Sequence, residues 1–114
     1  MDDKLMEKLY DSIVEDGFTT YVKLFNELEI EEDFIDYWKK ALMLYQSFDG
    51  TEKEVFFSIL KTVMVDTVST VFGILDGTVS LVNGVCDFGI TANGVDVKGE
   101  MQDEFLRYVE DLEA

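Results

Sequence analysis

The chain has 114 residues, of which 47% are apolar, so it is long enough to fold as one domain with its own hydrophobic core. Its 25 acidic and 9 basic residues give a formal net charge of −16. Because such a surface repels phosphate groups and attracts basic proteins, we expect no nucleic-acid partner and no membrane partner. We expect a single domain that covers residues 1–114.

Several classes of chemistry are excluded by the residues that the sequence lacks. It contains no histidine and a single cysteine, Cys86, so Ser-His-Asp sites, Cys-His sites and the usual zinc sites are absent. Neither GxGxxG nor GxxxxGK[ST] occurs in the sequence. We therefore predict no catalytic residue, no metal site and no cofactor, and we expect that the protein is not an enzyme.

The cysteine content and the N-terminal residues bear on location. A lone Cys86 cannot form an intramolecular disulfide, which is typical of a reducing compartment. Residues 1–4 lack the basic and then apolar regions of a signal peptide. Both observations predict a cytoplasmic location. We expect Cys86 itself to be a small, buried residue of a strand.

Helical periodicity dominates the first half of the chain. Apolar residues recur every three or four positions within 5–14, 18–28 and 34–45, which predicts three amphipathic helices. Asp2 or Asp3 is placed to cap the first of them, and Gly17 is expected to end it. The Asp49-Gly50 dipeptide should break the chain after the third helix.

A long apolar run over residues 55–75 follows a capping-box pattern at residues 51–54. We interpret it as one helix with a narrow polar stripe and with its other faces buried in the core. A membrane span is disfavoured because Lys61 and Asp66 interrupt the run. The alternative is a change to strand near Thr67, since valine and threonine are frequent in the second half. The stripe consists of Glu54, Ser58, Thr62, Asp66, Thr70 and Gly73.

Turn and strand signals replace the helical pattern after Asp76-Gly77. Segments 78–82 and 85–92 flank an Asn83-Gly84 dipeptide, and Asn93-Gly94 leads into 95–97, so two β-turns are predicted. A closing helix should follow Gly99, with Asp103 and Arg107 weakly paired. The predicted fold class is α+β and mostly helical: about four N-terminal helices, a small antiparallel β-hairpin or meander around 78–97, and a C-terminal helix.

Carboxylates are the abundant reactive groups, and six of them lie between residues 27 and 36, at the junction of the second and third predicted helices. Such a cluster can bind a basic protein or a divalent ion, and the alternative is a solvated surface. We select four of these residues as candidate partner-binding residues: Glu29, Glu32, Asp33 and Asp36. The neighbouring aromatic residues are expected in the core, and an exposed member would indicate a protein interface.

Two further carboxylates are candidate binding residues. Asp66 lies within the apolar run, where a buried carboxylate would need hydrogen-bond partners such as Ser69 or Thr70. It could then bind a ligand or a partner in a shallow polar groove, whereas the alternative is that its stripe faces water or packs against the hairpin. Asp76 is a candidate for the same role, although its position before Gly77 is typical of a turn residue.

In size, acidity and lack of catalytic motifs, the chain resembles small bacterial immunity and inhibitor proteins, which neutralise a basic toxin by covering its active site. The resemblance implies a non-enzymatic acidic protein-binding module, immunity-like, inhibitor-like or regulatory, that engages a basic protein. One alternative is a self-associating structural domain, such as a homodimer. Another is a small-ligand-binding protein or a carboxylate-based enzyme that uses Asp66 or Asp76.

Overall fold

A computed structural model describes residues 4–84 and 86–114 of the chain. Four helices, a small two-stranded antiparallel sheet and a C-terminal helix follow one another along the chain, which confirms the predicted α+β fold. The elements are α1 (Leu5–Tyr10), a π-helical turn (Asp11–Glu15), α2 (Asp16–Glu27), α3 (Asp36–Gln46), α4 (Gly50–Asp76), β1 (Thr91–Ala92), β2 (Val95–Asp96) and α5 (Met101–Glu113).

The backbone stays helical from the start of α1 to the end of α2, so the predicted helix end at Gly17 is wrong. Gly17 lies inside α2, where a Cβ atom would come within 3.0 Å of the Met64 side chain on α4. The glycine therefore permits a close approach of two helices. The predicted cap at Asp2 or Asp3 lies outside the described residues.

α4 is a single 27-residue helix, which confirms the helical interpretation and contradicts a change to strand near Thr67. Its capping box is formed by Asp49 and Glu52, two residues before the predicted position. The Asp49 carboxylate accepts a 2.8 Å hydrogen bond from the Glu52 amide, and the Glu52 carboxylate accepts a 3.0 Å bond from the Asp49 amide. α4 ends at Gly77, which takes the left-handed conformation at φ +84°.

Two buried clusters lie along α4. Near its N-terminal half, Phe25, Leu42 and Tyr45 are buried against partly buried aromatic residues of α3 and α4. The helix formed by α1 and α2 runs antiparallel to α4, since Phe18 packs on Phe57 at the N-terminal half while residues of α1 pack near the other end. The cluster near the C-terminal half contains Met6, Tyr10, Val14, Phe72, Val97, Met101, Phe105 and Val109.

The β-hairpin turns at Asn93-Gly94, as predicted. Both residues have positive φ, +51° and +80°, which suits the type I′ turn that this dipeptide favours. Ala92 pairs with Val95 in the antiparallel ladder. The other predicted hairpin is reduced to an isolated bridge between Leu81 and Gly84, and Val85 lies outside the described residues.

The predicted strand over 78–82 is wrong, and the end of α4 explains why. The amides of Thr78 and Val79 donate to the Gly73 carbonyl at 2.9 and 3.0 Å. These donors complete the last turn of α4 and are therefore not available for a β-ladder.

Among the described residues, no element covers one side of α4. Within the apolar 18-residue window of α4, only 11% of the residues are buried, so the prediction that its other faces lie in the core is wrong. Neighbouring helices pack on one side of α4 and leave Val55, Ile59 and Val63 more than half exposed, at 54%, 56% and 55%. By length and composition alone, with a mean hydropathy of 1.6, α4 could cross a membrane.

Candidate functional site

The predicted partner-binding acids lie together on an exposed segment, which we call the acidic junction (residues 27–37). It comprises the last residue of α2, the connecting loop and the first turn of α3. Leu28 and Ile35 have extended backbone at the two ends of the loop, at ψ 126° and 151°, and so separate the two helices. Four predicted residues are solvent-exposed there: Glu29, Glu32, Asp33 and Asp36.

The negative charge of the acidic junction is not neutralised by neighbouring bases. The sequence has no lysine or arginine between Lys23 and Lys39, whereas six carboxylates fall in that interval. Among the described residues, the ion pairs form elsewhere, as in Glu15–Lys61 and Glu104–Arg107. The exposed carboxylates of the junction therefore attract cations over a distance set by ionic strength.

Exposed apolar side chains accompany these carboxylates. Ile35 is 65% exposed and Tyr37 is 67% exposed, while the ring of Tyr37 packs edge-on against Trp38 with centroids 5.4 Å apart. Among the neighbouring aromatic residues that were expected in the core, Tyr45 is buried, Tyr37 is exposed, and the other three are half-buried: Phe34, Trp38 and Phe48. An exposed tyrosine and isoleucine beside unpaired charges resemble the anchor residues of protein interfaces.

The base of the acidic junction is held by Tyr45 of α3. Its hydroxyl donates a hydrogen bond to the Asn26 side-chain carbonyl near the end of α2. Its ring also packs on Phe25 with centroids 5.3 Å apart. Burial raises the pKa of Tyr45 above its ordinary value of 10.0, because the charged phenolate would lose hydration. These contacts fix how α2 and α3 present the loop between them.

Asp66 lies in a separate cleft between the π-helical turn, α4 and the end of α5, with a volume of about 590 Å³. Glu15, Lys61 and Glu113 also line this cleft. Asp66 is exposed, as are the other stripe residues from Glu54 to Thr70, whereas Gly73 is buried. Most of the polar stripe therefore faces solvent, as the alternative interpretation predicted. We call this space the Asp66 cleft.

The charges around the Asp66 cleft favour a cation over an anion. Its lysine, Lys61, already lies 3.5 Å from the Glu15 carboxylate and 5.0 Å from the centre of the Phe18 ring. Nearby, burial and the carboxylates of Asp11 and Glu7 raise the pKa of Tyr108 above 10.0. The described residues contain no group of three or more carboxylate, cysteine or histidine side chains placed to hold a metal ion.

Asp76 has a different environment, because its carboxylate is buried against the start of α5. One oxygen accepts hydrogen bonds from the amides of Gly99 at 2.8 Å and Met101 at 3.3 Å, and the other accepts from Gln102 at 2.7 Å. The residue before α5, Glu100, makes no side-chain cap of its own. Asp76 therefore caps α5 from the end of α4, a role that turn preference alone did not indicate.

Two smaller sequence predictions are wrong. Cys86 is exposed and lies outside the strands, so it is not a buried strand residue. Arg107 pairs with Glu104 at 2.7 Å instead of Asp103, because residues three apart on a helix are also neighbours. Close to Cys86, the Asp87 carboxylate pairs with Lys98, whose hydrogen bond and charge lower the pKa of Asp87.

No protein-family model, curated protein or solved structure matches this chain. The fold and surfaces define a small acidic α+β protein with an exposed acidic junction and a cleft around Asp66. Its function is therefore inferred from these surfaces.

Proposed function

We propose that this chain is a non-enzymatic protein-binding module, immunity-like, inhibitor-like or regulatory, that engages a basic partner through the acidic junction. The observation that supports it is the combination of six carboxylates with no intervening base and exposed apolar side chains, of which Ile35 and Tyr37 are the most exposed. Charge alone would provide solubility, whereas charge around apolar anchors is typical of a surface that binds protein.

The two components of the acidic junction have separate roles in this proposal. The carboxylates attract the basic partner and speed encounter, an effect that falls as salt shortens the Debye length to about 8 Å at physiological ionic strength. Ile35 and Tyr37 then lose exposed apolar surface on contact, which slows dissociation. Replacing carboxylates should thus change the association rate, and truncating Tyr37 should change the dissociation rate.

Net charge supports the exclusion of two classes of partner, and the free cysteine supports the inferred compartment. A net charge of −16 opposes binding to nucleic acids and to anionic membranes. An exposed, unpaired Cys86 is compatible with a reducing cytoplasm. We therefore place the protein in the cytoplasm, with a basic protein as its partner.

The test compares three forms of the tagged protein as bait in a lysate of its own host, read by mass spectrometry. The junction variant carries Glu29→Lys, Glu32→Lys and Asp33→Lys. The control variant carries lysine in place of three other exposed acids, Glu54, Glu110 and Asp111, so both variants have the same net charge. Asp36 is left unchanged, because a lysine in the first turn of α3 would oppose the helix dipole.

We expect a basic protein to be retained by the wild type and by the control variant, and to be lost from the junction variant. Circular dichroism of all three baits checks that the helices remain. Equal loss from both variants would mean that only net charge matters and would contradict a specific junction.

A second candidate function, the binding of a small cationic ligand, is favoured by the volume and carboxylates of the Asp66 cleft. A diamine should raise the melting temperature of the wild type and have a smaller effect on Asp66→Asn. No shift with the wild type would remove this candidate.

A further inference from the structure

The exposed side of α4 carries a continuous row of side chains spaced four residues apart, which we call the outer row: Val55, Ile59, Val63, Thr67 and Val71. All five are exposed, and the four aliphatic members are between 48% and 56% exposed. A groove of about 270 Å³ lies between this row and the neighbouring Ser58 and Thr62. A ridge beside a groove is the surface that helices use to pack on one another.

The chain exposes more surface than a compact monomer of its mass, which leaves enough area for an interface. Its accessible surface is 8047 Å², whereas a compact monomer of its 13.1 kDa would expose about 6,400 Å². Its radius of gyration of 17.7 Å likewise exceeds the roughly 13 Å of a compact chain of similar length. The excess of about 1,600 Å² is more than the roughly 800 Å² per partner that a specific interface buries.

Charge identifies what fits the outer row. Residues 55–75 contain only Lys61 and Asp66 as charged residues, so this stretch is neutral in a chain of net charge −16. A basic partner would gain no local attraction there. The outer row itself bears no charge, so two copies can bring it together without placing like charges in contact. A neutral apolar surface fits this row, and the same row on a second copy is such a surface.

We propose that the outer row is the interface of a homodimer, in which two copies of α4 pack antiparallel about a two-fold axis near Val63. In that arrangement Ile59, Val63 and Thr67 lie where the two helices cross, and Val55 and Val71, each about 80° around the helix from Val63, lie at the edges of the contact. The first turn of α4 carries Glu52 and its capping partner Asp49. A parallel pair would bring these acids of both copies together, whereas the antiparallel pair places each N-terminus beside a C-terminus, as helix dipoles favour.

The homodimer would be independent of the basic partner. The acidic junction shares no residue with the outer row, so one dimer would present two junctions and could bind a multivalent basic partner with increased avidity. The two interactions respond to salt in opposite ways. Salt weakens attraction to a basic partner, but it screens the repulsion between two acidic copies and so favours the dimer.

The test measures the mass of the purified full chain in solution by sedimentation velocity over a range of concentrations. Val63→Glu places two like charges at the two-fold axis and should raise the dimer dissociation constant by about 100-fold or more. The matched control is Val82→Glu, at a residue that is 95% exposed and lies outside α4. Since Val63 is 55% exposed in the single chain, its replacement should leave the helical circular dichroism unchanged.

Cross-linking tests the register. Axes about 9–10 Å apart bring facing Cα atoms at the two-fold axis to about 4.4–5.4 Å, within disulfide range. In a Cys86→Ser background, Val63→Cys should therefore form a covalent dimer on mild oxidation, and Val82→Cys should not.

Three results would overturn the proposal. The first is a wild type that remains monomeric at high micromolar concentration, and the second is a dimer that Val63→Glu does not weaken. The third is a monomer that floats with phosphatidylcholine vesicles, which would assign the outer row to a membrane. Because all these readouts use the purified chain alone, they are unaffected by failure of the basic-partner proposal.

Discussion

Replacement of Asp76 by asparagine tests the connection between α4 and α5. The buried carboxylate accepts hydrogen bonds from three amides at the start of α5, and an asparagine side chain has one acceptor oxygen instead of two. Its NH₂ group would face amide donors in place of the second oxygen. A hydrogen bond to a charged group contributes about 1.5–3 kcal/mol, and the helix-dipole interaction contributes about 1 kcal/mol.

We therefore expect Asp76→Asn to lower the free energy of unfolding by about 2–4 kcal/mol. With a urea m-value of about 1–3 kcal/mol/M, the unfolding midpoint should fall by roughly 1–2 M. Unfolding is monitored by circular dichroism at 222 nm. Protein concentration is kept fixed, because a dimer makes stability depend on concentration.

The matched control is Asp66→Asn, which makes the same chemical change at an exposed carboxylate. It should change the free energy of unfolding by less than about 0.5 kcal/mol. If the two variants lost the same stability, the buried hydrogen bonds of Asp76 would contribute nothing beyond what an exposed carboxylate contributes, and its capping role would be refuted.

Two further predictions concern the packing at Gly73 and the ionisation of Tyr45 and Tyr108. Gly73→Ala should destabilise the fold by about 1–3 kcal/mol in the same urea assay, because the new Cβ would lie 2.5 Å from Val79 and 2.7 Å from Gln102; an unchanged midpoint would contradict this packing. Because the pKa values of Tyr45 and Tyr108 are raised in the folded chain, their contribution to stability is full below pH 10, the ordinary tyrosine pKa, and is lost as pH rises above it. Thermal unfolding should show this loss, and absorbance at 295 nm should show tyrosines that titrate at higher pH than free tyrosine. A melting temperature that does not change up to pH 12 would be evidence against it.

Much of the fold could be predicted because local signals and tertiary structure agree. The polar stripe within residues 55–75 indicated a helix, and the Asn93-Gly94 dipeptide indicated the turn that forms there. The predicted helix end at Gly17 was wrong because glycine occurs both at helix ends and at close contacts between helices. Its contact with Met64, 47 positions away, decides between these roles and is not visible locally.

The candidate site was predictable in part. The acids of the junction could be found because they lie within residues 27–36, and residues this close in sequence remain near one another in any fold. Asp76 and the outer row could not be assigned in the same way. The cap depends on amides more than 20 residues later, and exposure of Val63 depends on which side of α4 its neighbours cover.

The most direct test of a basic partner recruited by the acidic junction is the association rate of the purified partner as a function of salt. We expect the rate for the wild type to fall steeply as ionic strength rises, and the rate for the Glu29→Lys, Glu32→Lys, Asp33→Lys variant to be low at low salt and nearly independent of it. A wild-type rate that does not depend on salt, or one that the variant reproduces, would contradict the account.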